Sequence, residues 1–371
     1  MKVMILANND VGLYKFRKEL IEELISPGSY IHERKAEPCE VFVSLPNGKF
    51  VTDLKAMGCN FIDTPINRRG MNPVEDLKLL GRYRKIVKDV KPDVVFGYTI
   101  KPNIYGGIVC AENNIPYITN ITGLGTAVEN RGVLQLITLI LYRIALRKVK
   151  TVFFQNEENQ QFFSDHRLCI GKHKMLPGSG VNLKYYELVE YPHSETVEFV
   201  FIARVMKEKG IDQYLEAAKI IKEKYPYTRF HICGFCEQDY EDKIEQMDKE
   251  NIIIYHGLVS DMRDIYKKVH CTVHPTFYPE GLSNVLLESA ASARPIITTN
   301  RSGCREVIED GKNGYLVKER DTDDLVSKIE KFLSLNWNEQ KNMGLLGREK
   351  VEKEFDRKIV VKKYLNELNF K

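Results

Sequence analysis

The chain has 371 residues, 43% apolar and 29% charged, with a formal net charge of +4. That length is too great for one typical core and predicts two soluble globular domains. Its eight cysteines are scattered through apolar contexts such as GIVCAE and VHCTVH, which excludes a disulfide framework and fits a reducing cytoplasm.

The first half reads as alternating strands and helices. MKVMILANND carries one lysine and a short apolar run, so it is expected to be a buried strand (3–7) and not a signal peptide. A loop over 8–14 and a helix over 16–25 follow, then a strand (40–44), a helix (51–57) and a short strand (61–64). Residues 73–90 predict a long helix with Leu77, Leu80, Tyr83 and Val87 on one face. A strand (94–98), a helix (103–112), a strand (117–120), a helix (133–147) and a strand (151–155) complete this half. Such alternation predicts a parallel sheet with right-handed crossovers and ligands at the carboxyl ends of the strands. The stretch 177–195 has no periodicity, contains Pro177, Gly178, Gly180 and Pro192, and reads as a linker. The second half repeats the pattern, with strands at 197–203, 228–233, 252–256, 270–274 and 295–299. Helices are predicted at 210–225, 239–250, 260–268 and 322–334, with a helical tail from 337.

Charge is unevenly divided. Residues 1–185 hold 26 basic and 18 acidic side chains; residues 186–371 hold 29 and 33. The basic half points to an anionic partner, either a membrane surface, a lipid diphosphate or nucleic acid, or else to ordinary solvated surface. Nucleic acid is disfavoured, because no recognition motif or aromatic–basic interleaving is present. The apolar run 133–146 contains Gln135, Thr138 and Arg143 and is too short to span a bilayer. With Arg143, Arg147, Lys148 and Lys150 it reads either as a bilayer-docking element or as a core helix with a snorkelling basic end. Arg68, Arg69 and Met71 form a second such candidate. Cys233-Gly-Phe-Cys236 ends a buried strand and has no second cysteine pair, so it is not read as a zinc site. The eight histidines show no metal-ligand spacing and no paired acidic motif stands out, so no metal or other cofactor is expected.

The chain is organised around HPTFYPEGLSNVLLESAASARPIITTNRSGC, residues 274–304. Seven residues separate Glu280 from Glu288. A small-residue turn (Gly281, Leu282, Ser283, Asn284) enters a helix whose first amides lack helical partners and whose dipole attracts an anion. Ser283 is a natural N-cap. Glu288 lies about 7.5 Å along that helix, at 1.5 Å per residue, a span that reaches from a diphosphate to a ribose. Upstream, Arg204 and Lys209 follow a buried strand and are either a diphosphate site or a surface charge cluster.

Together EGLSNVLLES, ARPIITTNRSGCREVIEDGKNGYLV and FIARVMKEKGID (201–212) closely resemble the retaining Glu-x7-Glu glycosyltransferases of family-four type. ANNDVGLYKFRKEL and NITGLGTAVE (120–129) are similar to the bacterial subgroup that extends lipid-linked sugars for capsule, O-antigen or glycan precursors. The resemblance implies the α/β GT-B fold: two Rossmann-like domains facing across a deep cleft. It implies an acceptor-binding domain at 1–185, a donor-binding domain at 186–350, and a terminal helix at 351–371 crossing back to the first, packed through Ile359, Val360, Tyr364 and Leu365.

It further implies catalytic roles for Glu280, Arg204 and Lys209. Arg204 and Lys209 would neutralise the departing nucleoside diphosphate, and Glu280 would contact the sugar, with a covalent-nucleophile role as the minority reading. Glu288 would bind the ribose. Gly281, Leu282, Ser283 and Asn284 would hold the sugar and phosphate, Gly12 would let backbone approach the donor, and Gly257 and Leu258 would line the base pocket. Acceptor candidates are Arg17 (or a salt bridge there instead), Lys101, Asn103, Thr122 and Gly123. Thr122 stands where many relatives carry a histidine. The expected partners are a UDP-sugar substrate, a polyprenyl-diphosphate-linked saccharide acceptor and an anionic membrane surface, with peripheral placement on the cytoplasmic face. A GT-B UDP-sugar epimerase and a non-catalytic nucleotide-sugar or polysaccharide binder are the rivals.

Overall fold

The computed structural model describes residues 1–32, 36–67, 72–125 and 132–368. The chain forms two units. Unit 1 is Met1–Gly180, Pro279–Leu282 and Arg357–Lys371; unit 2 is Val181–Tyr278 and Ser283–Asp356. The break at Gly180 precedes the expected 185, and the terminal segment that joins unit 1 begins at Arg357, later than 351.

Unit 1 holds a seven-stranded parallel sheet. Its strands are β1 (Lys2–Leu6), β2 (Glu40–Leu45), β3 (Asn60–Asp63), β4 (Val94–Tyr98), β5 (Tyr117–Ile121), β6 (Thr151–Phe154) and β7 (His173–Met175), in the order β3-β2-β1-β4-β5-β6-β7. Helices α1 (Asp10–Ile25), α2 (Val51–Ala56), α3 (Pro73–Val90), α4 (Gly107–Asn113), α5 (Val133–Ala145) and α6 (Glu157–Asp165) connect them. Side chains alternate across a strand. Val3 and Ile5 therefore join a core with Leu20, Leu24, Val43 and Phe153, while Met4 and Leu6 join one with Tyr83, Val109, Tyr142 and Phe154. Continuous burial on both faces explains why β4 reads as the apolar run VVFGY. Gly97 in β4 is obligatory, because an added Cβ would overlap the Tyr117 hydroxyl.

Three local features depart from the sequence expectation. Helix α1 begins at Asp10, so Gly12 lies in its first turn instead of in a loop; Asn9 makes the early start possible by accepting the Gly12 N–H at 2.6 Å. The 103–112 helix opens as a π-turn over Pro102–Gly106 before α4. Helix α6 and strand β7 were not anticipated: EENQQFFSD has too few apolar residues to show a helical period, and β7 is a three-residue edge strand.

Unit 2 holds a six-stranded parallel sheet in the order β10-β9-β8-β11-β12-β13. Its strands are β8 (Val197–Ile202), β9 (Thr228–Cys233), β10 (Ile254–Tyr255), β11 (Cys271–His274), β12 (Ile296–Thr299) and the unanticipated β13 (Gly314–Val317). Helices α7 (Ile211–Lys224), α8 (Glu241–Lys249), α9 (Arg263–Tyr266), α10 (Asn284–Ala291), α11 (Thr322–Leu333) and α12 (Trp337–Glu354) surround it. A capping box between Asn336 and Glu339 starts α12.

The last helix, α13 (Arg357–Asn366), belongs to unit 1. Arg357 donates to Glu19 at 2.8 Å and to the Gly180 carbonyl at 2.9 Å, and both charged side chains are buried. The Tyr364 ring lies 4.8 Å from Phe153 and 5.3 Å from Phe96, and its hydroxyl accepts from Asn120 at 2.9 Å. Tyr364→Ala is expected to lower stability by about 3–5 kcal/mol through lost burial and a cavity, whereas Tyr364→Phe should cost roughly 1 kcal/mol. Denaturant midpoints of the two variants check this ordering.

Candidate functional site

In unit 2 the ligand edge of the sheet gathers two cations on one aromatic ring. Arg204 follows β8 and its guanidinium carbon lies 5.4 Å from the Tyr278 ring centroid; the Lys209 ammonium lies 4.8 Å from the same centroid. Arg204 is also ion-paired with Glu237, beyond β9. Tyr278 follows β11 and is anchored through its carbonyl, which accepts from Arg301 at 3.2 Å.

Backbone packing fixes this arrangement. Gly210, at φ 78°, presses against the Pro275 carbonyl, where a Cβ would overlap it. Gly234, at φ 154°, packs equally closely on the Ala203 carbonyl and donates to the Gly257 carbonyl at 2.8 Å. The loop bearing Gly257 and Leu258 is thereby tied beside the Ala203–Arg204 turn. Leu258 is 76% exposed.

Burial shapes the electrostatics. Lys209 is 8% exposed. Removal from water pushes its pKa down to about 7, and the charge of Arg204 acts in the same direction. His274, at the end of β11, is fully buried and held neutral, its pKa pushed to about 3 by burial and then by Lys209. Its Nε2 lies 3.4 Å from the Ser283 hydroxyl, and its Nδ1 has no partner among the described residues.

Ser283 occupies the N-cap position of α10, as expected, but its hydroxyl makes no capping bond. It turns to His274 instead. No side chain of the cap residue therefore claims the first-turn amides of α10, a state suited to an anion. Asn284 opens this helix, and Glu288 is half-buried one turn on, close enough for its charge to raise the pKa of the buried Tyr266 hydroxyl, after burial itself.

In unit 1 the segment Pro279–Leu282 packs beside the ends of β5 and β6. The Asn156 amide donates to the Glu280 carbonyl at 3.2 Å and the Gly281 carbonyl at 2.5 Å. A Cβ on Gly281 would stand 2.6 Å from both the Gln155 Oε1 and the Thr122 carbonyl, so chain packing alone already requires glycine here. Gly123, at φ 141°, lies against the Pro279 carbonyl. Thr122, Gly123, Glu280 and Gly281 are thus neighbours. Leu282 is buried against Gly178.

The remaining acceptor candidates are engaged internally. Arg17 is buried, not exposed to a ligand: it donates to the Phe16 carbonyl at 2.7 Å and stacks 4.8 Å from the Tyr98 ring, and the alternative salt bridge does not form among the described residues. Lys101 is ion-paired with Asp76 at 2.7 Å. Asn103 is fully buried and donates to the Asn120 carbonyl at 2.9 Å. The Gly12 amide is held by Asn9. Arg68, Arg69 and Met71 lie outside the described residues. Among the described residues no three His, Cys, Asp or Glu side chains form a group able to hold a metal.

Sequence reasoning missed Tyr278, His274 and Glu237. An aromatic and a histidine at a strand end look like core, and nothing in a lone Glu237 announces its partner 33 residues away. Gly210 was visible as the Lys-Gly of EKG but not as a packing requirement.

Two all-parallel α/β units, the second with cations gathered at its ligand edge, define a glycosyltransferase of GT-B fold. The chain belongs to that class, of the family-four type: the family "Glycosyl transferases group 1" matches residues 190–350 and "Glycosyl transferase 4-like" matches residues 28–156. It is similar to the N,N'-diacetylbacillosaminyl-diphospho-undecaprenol alpha-1,3-N-acetylgalactosaminyltransferase of Campylobacter jejuni, at 24% identity over 98% of this chain and 97% of that one. It matches the capsular polysaccharide biosynthesis glycosyltransferase CapM of Staphylococcus aureus at 28% identity, spanning 50% of this chain and 48% of CapM. Among solved structures, Anabaena HepE in complex with UDP and glucose superposes with a TM-score of 0.79 at 16% identity, covering 99% of this chain and 98% of HepE. The sucrose-phosphate synthase of Thermosynechococcus elongatus does so at 0.81 and 16%, covering 99% and 98%.

Lys209 gives a test of unit 2. The unfolded chain keeps the lysine proton up to pH 10.5, whereas the folded site releases it near 7. Between those values the unfolded state binds more protons, so this residue makes stability rise with pH. Lys209→Met is therefore expected to be more stable than the parent near pH 7, with the difference shrinking toward pH 10 in parallel denaturation curves.

Proposed function

We propose that this glycosyltransferase is a retaining enzyme that moves a sugar from a UDP-sugar to a polyprenyl-diphosphate-linked saccharide. The donor would be a hexose, an N-acetylhexosamine such as GalNAc, or a hexuronic acid. The step belongs to assembly of capsule, O-antigen or glycan precursors, at the inner face of the cell membrane and without a metal. The observation that carries the donor half is the convergence of Arg204 and Lys209 on Tyr278, beside the start of α10 that Ser283 leaves uncapped. The acceptor half is supported by full-length similarity to the Campylobacter enzyme, whose name specifies a diphospho-undecaprenol acceptor.

In this reading the α10 amides, Arg204 and Lys209 bind the diphosphate, and the Glu288 carboxylate accepts from the ribose hydroxyls. Bond cleavage leaves negative charge on the β-phosphate oxygen. The two cations stabilise it as it develops, which accelerates the chemical step. The acceptor hydroxyl attacks the anomeric carbon from the face the phosphate leaves, and its proton passes to the departing phosphate oxygen. No enzyme nucleophile is consumed. Glu280 contacts the transferred sugar. On donor binding Arg204 exchanges part of its interaction with Glu237 for phosphate, and the arriving dianion draws a proton onto Lys209.

The direct test is donor hydrolysis. The purified full chain, without added metal, is incubated with UDP-, GDP- and ADP-sugars, and released nucleoside diphosphate is measured beside Glu288→Ala and Lys209→Ala. One UDP-sugar is expected to be consumed, with both variants down by about a hundredfold or more. Turnover unchanged in both variants would remove these residues from the site. Absence of both turnover and calorimetric binding for every UDP-sugar would overturn the donor assignment.

A second expectation follows from the Lys209 pKa. UDP binding should weaken as pH rises from 6 to 8, because the ammonium is lost around 7 in the free protein. Titrations in buffers of different ionisation enthalpy should show proton uptake on binding, and Lys209→Arg should flatten both effects.

A further inference from the structure

Among the described residues, six of the 20 exposed large apolar side chains lie on α5: Val133 at 75%, Leu136 at 59%, Ile137 at 49%, Ile140 at 48%, Ile144 at 44% and Leu134 at 39%. Positions 133, 136, 137, 140 and 144 recur at helical spacing and form one stripe about 17 Å long at 1.5 Å per residue. The helix is held to unit 1 by its other side. Tyr142 meets Phe163 edge-on at 5.2 Å, and Ala145 packs so closely on Gly107 that a Cβ there would stand 2.8 Å from the Ala145 carbonyl.

The charge carried by the helix itself and the strand after it has one sign. Residues 132–156 contain four Lys or Arg and no Asp or Glu. Arg143, Arg147 and Lys148 are exposed at the carboxyl end of the helix. Arg143 donates to the His166 carbonyl at 3.1 Å and Lys148 to Asn114 at 2.5 Å, neither of which neutralises it. Arg147 acts electrostatically on Glu112, which is already bridged by Arg84 at 2.7 Å. Lys150 does not belong to this rim: it donates to the Glu367 carbonyl. Among the described residues no helix is long and apolar enough to cross a membrane.

We infer that α5 lies in the plane of an anionic bilayer, its Val133–Leu136–Ile137–Ile140–Ile144 stripe inserted among the acyl chains and Arg143, Arg147 and Lys148 on the headgroup phosphates. An apolar face with three exposed cations at its carboxyl end is complementary to anionic lipid, where both features gain at once. A second copy of the chain would bury the apolar stripe but would bring the two basic rims together. The inference deepens the membrane placement proposed above and rests on it, since a lipid-linked acceptor requires the enzyme at that surface.

The full chain is sedimented with vesicles of phosphatidylcholine alone and of phosphatidylcholine with roughly one third phosphatidylglycerol, at low and high salt. It is expected to pellet with the anionic vesicles and to be released partly by salt. Ile137→Ser/Ile140→Ser should weaken pelleting by about tenfold or more at either salt, and Arg143→Glu/Arg147→Glu should abolish only the anionic preference. Calorimetric UDP binding, read on the same samples, should be unchanged, which separates a failed docking face from a failed donor site. Equal pelleting of the Ile137→Ser/Ile140→Ser variant and the parent would overturn the inference. So would a parent dimer that this variant converts to monomer without any vesicle binding.

Discussion

Desolvation of a cation is the constraint on which the unit 2 site depends. An ammonium that is 8% exposed, with a guanidinium and a neutral buried histidine as electrostatic neighbours, gives up much of its solvation, and its pKa falls to about 7. Close backbone contacts around the site contribute to this burial. Gly210 sits against the Pro275 carbonyl and Gly234 against the Ala203 carbonyl, so the loops after β8, β9 and β11 cannot relax away from one another. The Tyr278 ring gives both cations a quadrupole face but no negative charge. The same burial makes Lys209 titratable near neutrality, so charge at the site answers to ligand and pH together.

The broad architecture could be read from the sequence because both sheets are parallel and covered on both faces. Strands such as VVFGY and CTVH are buried at every position, and helices intervene between them with little irregularity. What escaped was decided by single contacts. Residues 8–14 read as a loop, yet Asn9 caps the Gly12 amide and α1 begins six residues early. Helix α6 is amphipathic only through Phe162 and Phe163, and its start depends on Asn156, which also holds the Glu280 and Gly281 carbonyls.

The candidate site was legible to a different degree. Arg204, Lys209, Ser283 and Glu288 could be singled out because strand ends and a helix start advertise themselves in local sequence. Their mutual arrangement could not. That Gly281 is small for the sake of Thr122 and Gln155, or that Arg17 stacks under Tyr98, depends on residues that are 80 to 160 positions distant. A lone chain carries no mark of such pairings, so the packing demands on a glycine or arginine near a motif stay hidden in the sequence.

Helix α5 shows the converse. Its sequence is apolar nearly all round, so period alone could not decide between a core helix and a surface one. The structure resolves this in an unusual sense: Thr138, Tyr142 and Ala145 face inward with Leu139 and Leu141 partly buried beside them, while Val133, Leu136, Ile137, Ile140 and Ile144 face out. Folding stability gives no reason for that choice. Polar residues at 133, 136, 137, 140 and 144 would leave the inner packing intact, whereas each of these aliphatics forgoes about half of the roughly 1.5–3 kcal/mol that full burial contributes. Nor does solubility, since a contiguous apolar stripe is a liability on a free surface. The stripe is consistent with a helix whose outer medium is partly hydrocarbon, and the absence of any acid from residues 132–156 gives that medium the sign of its headgroups.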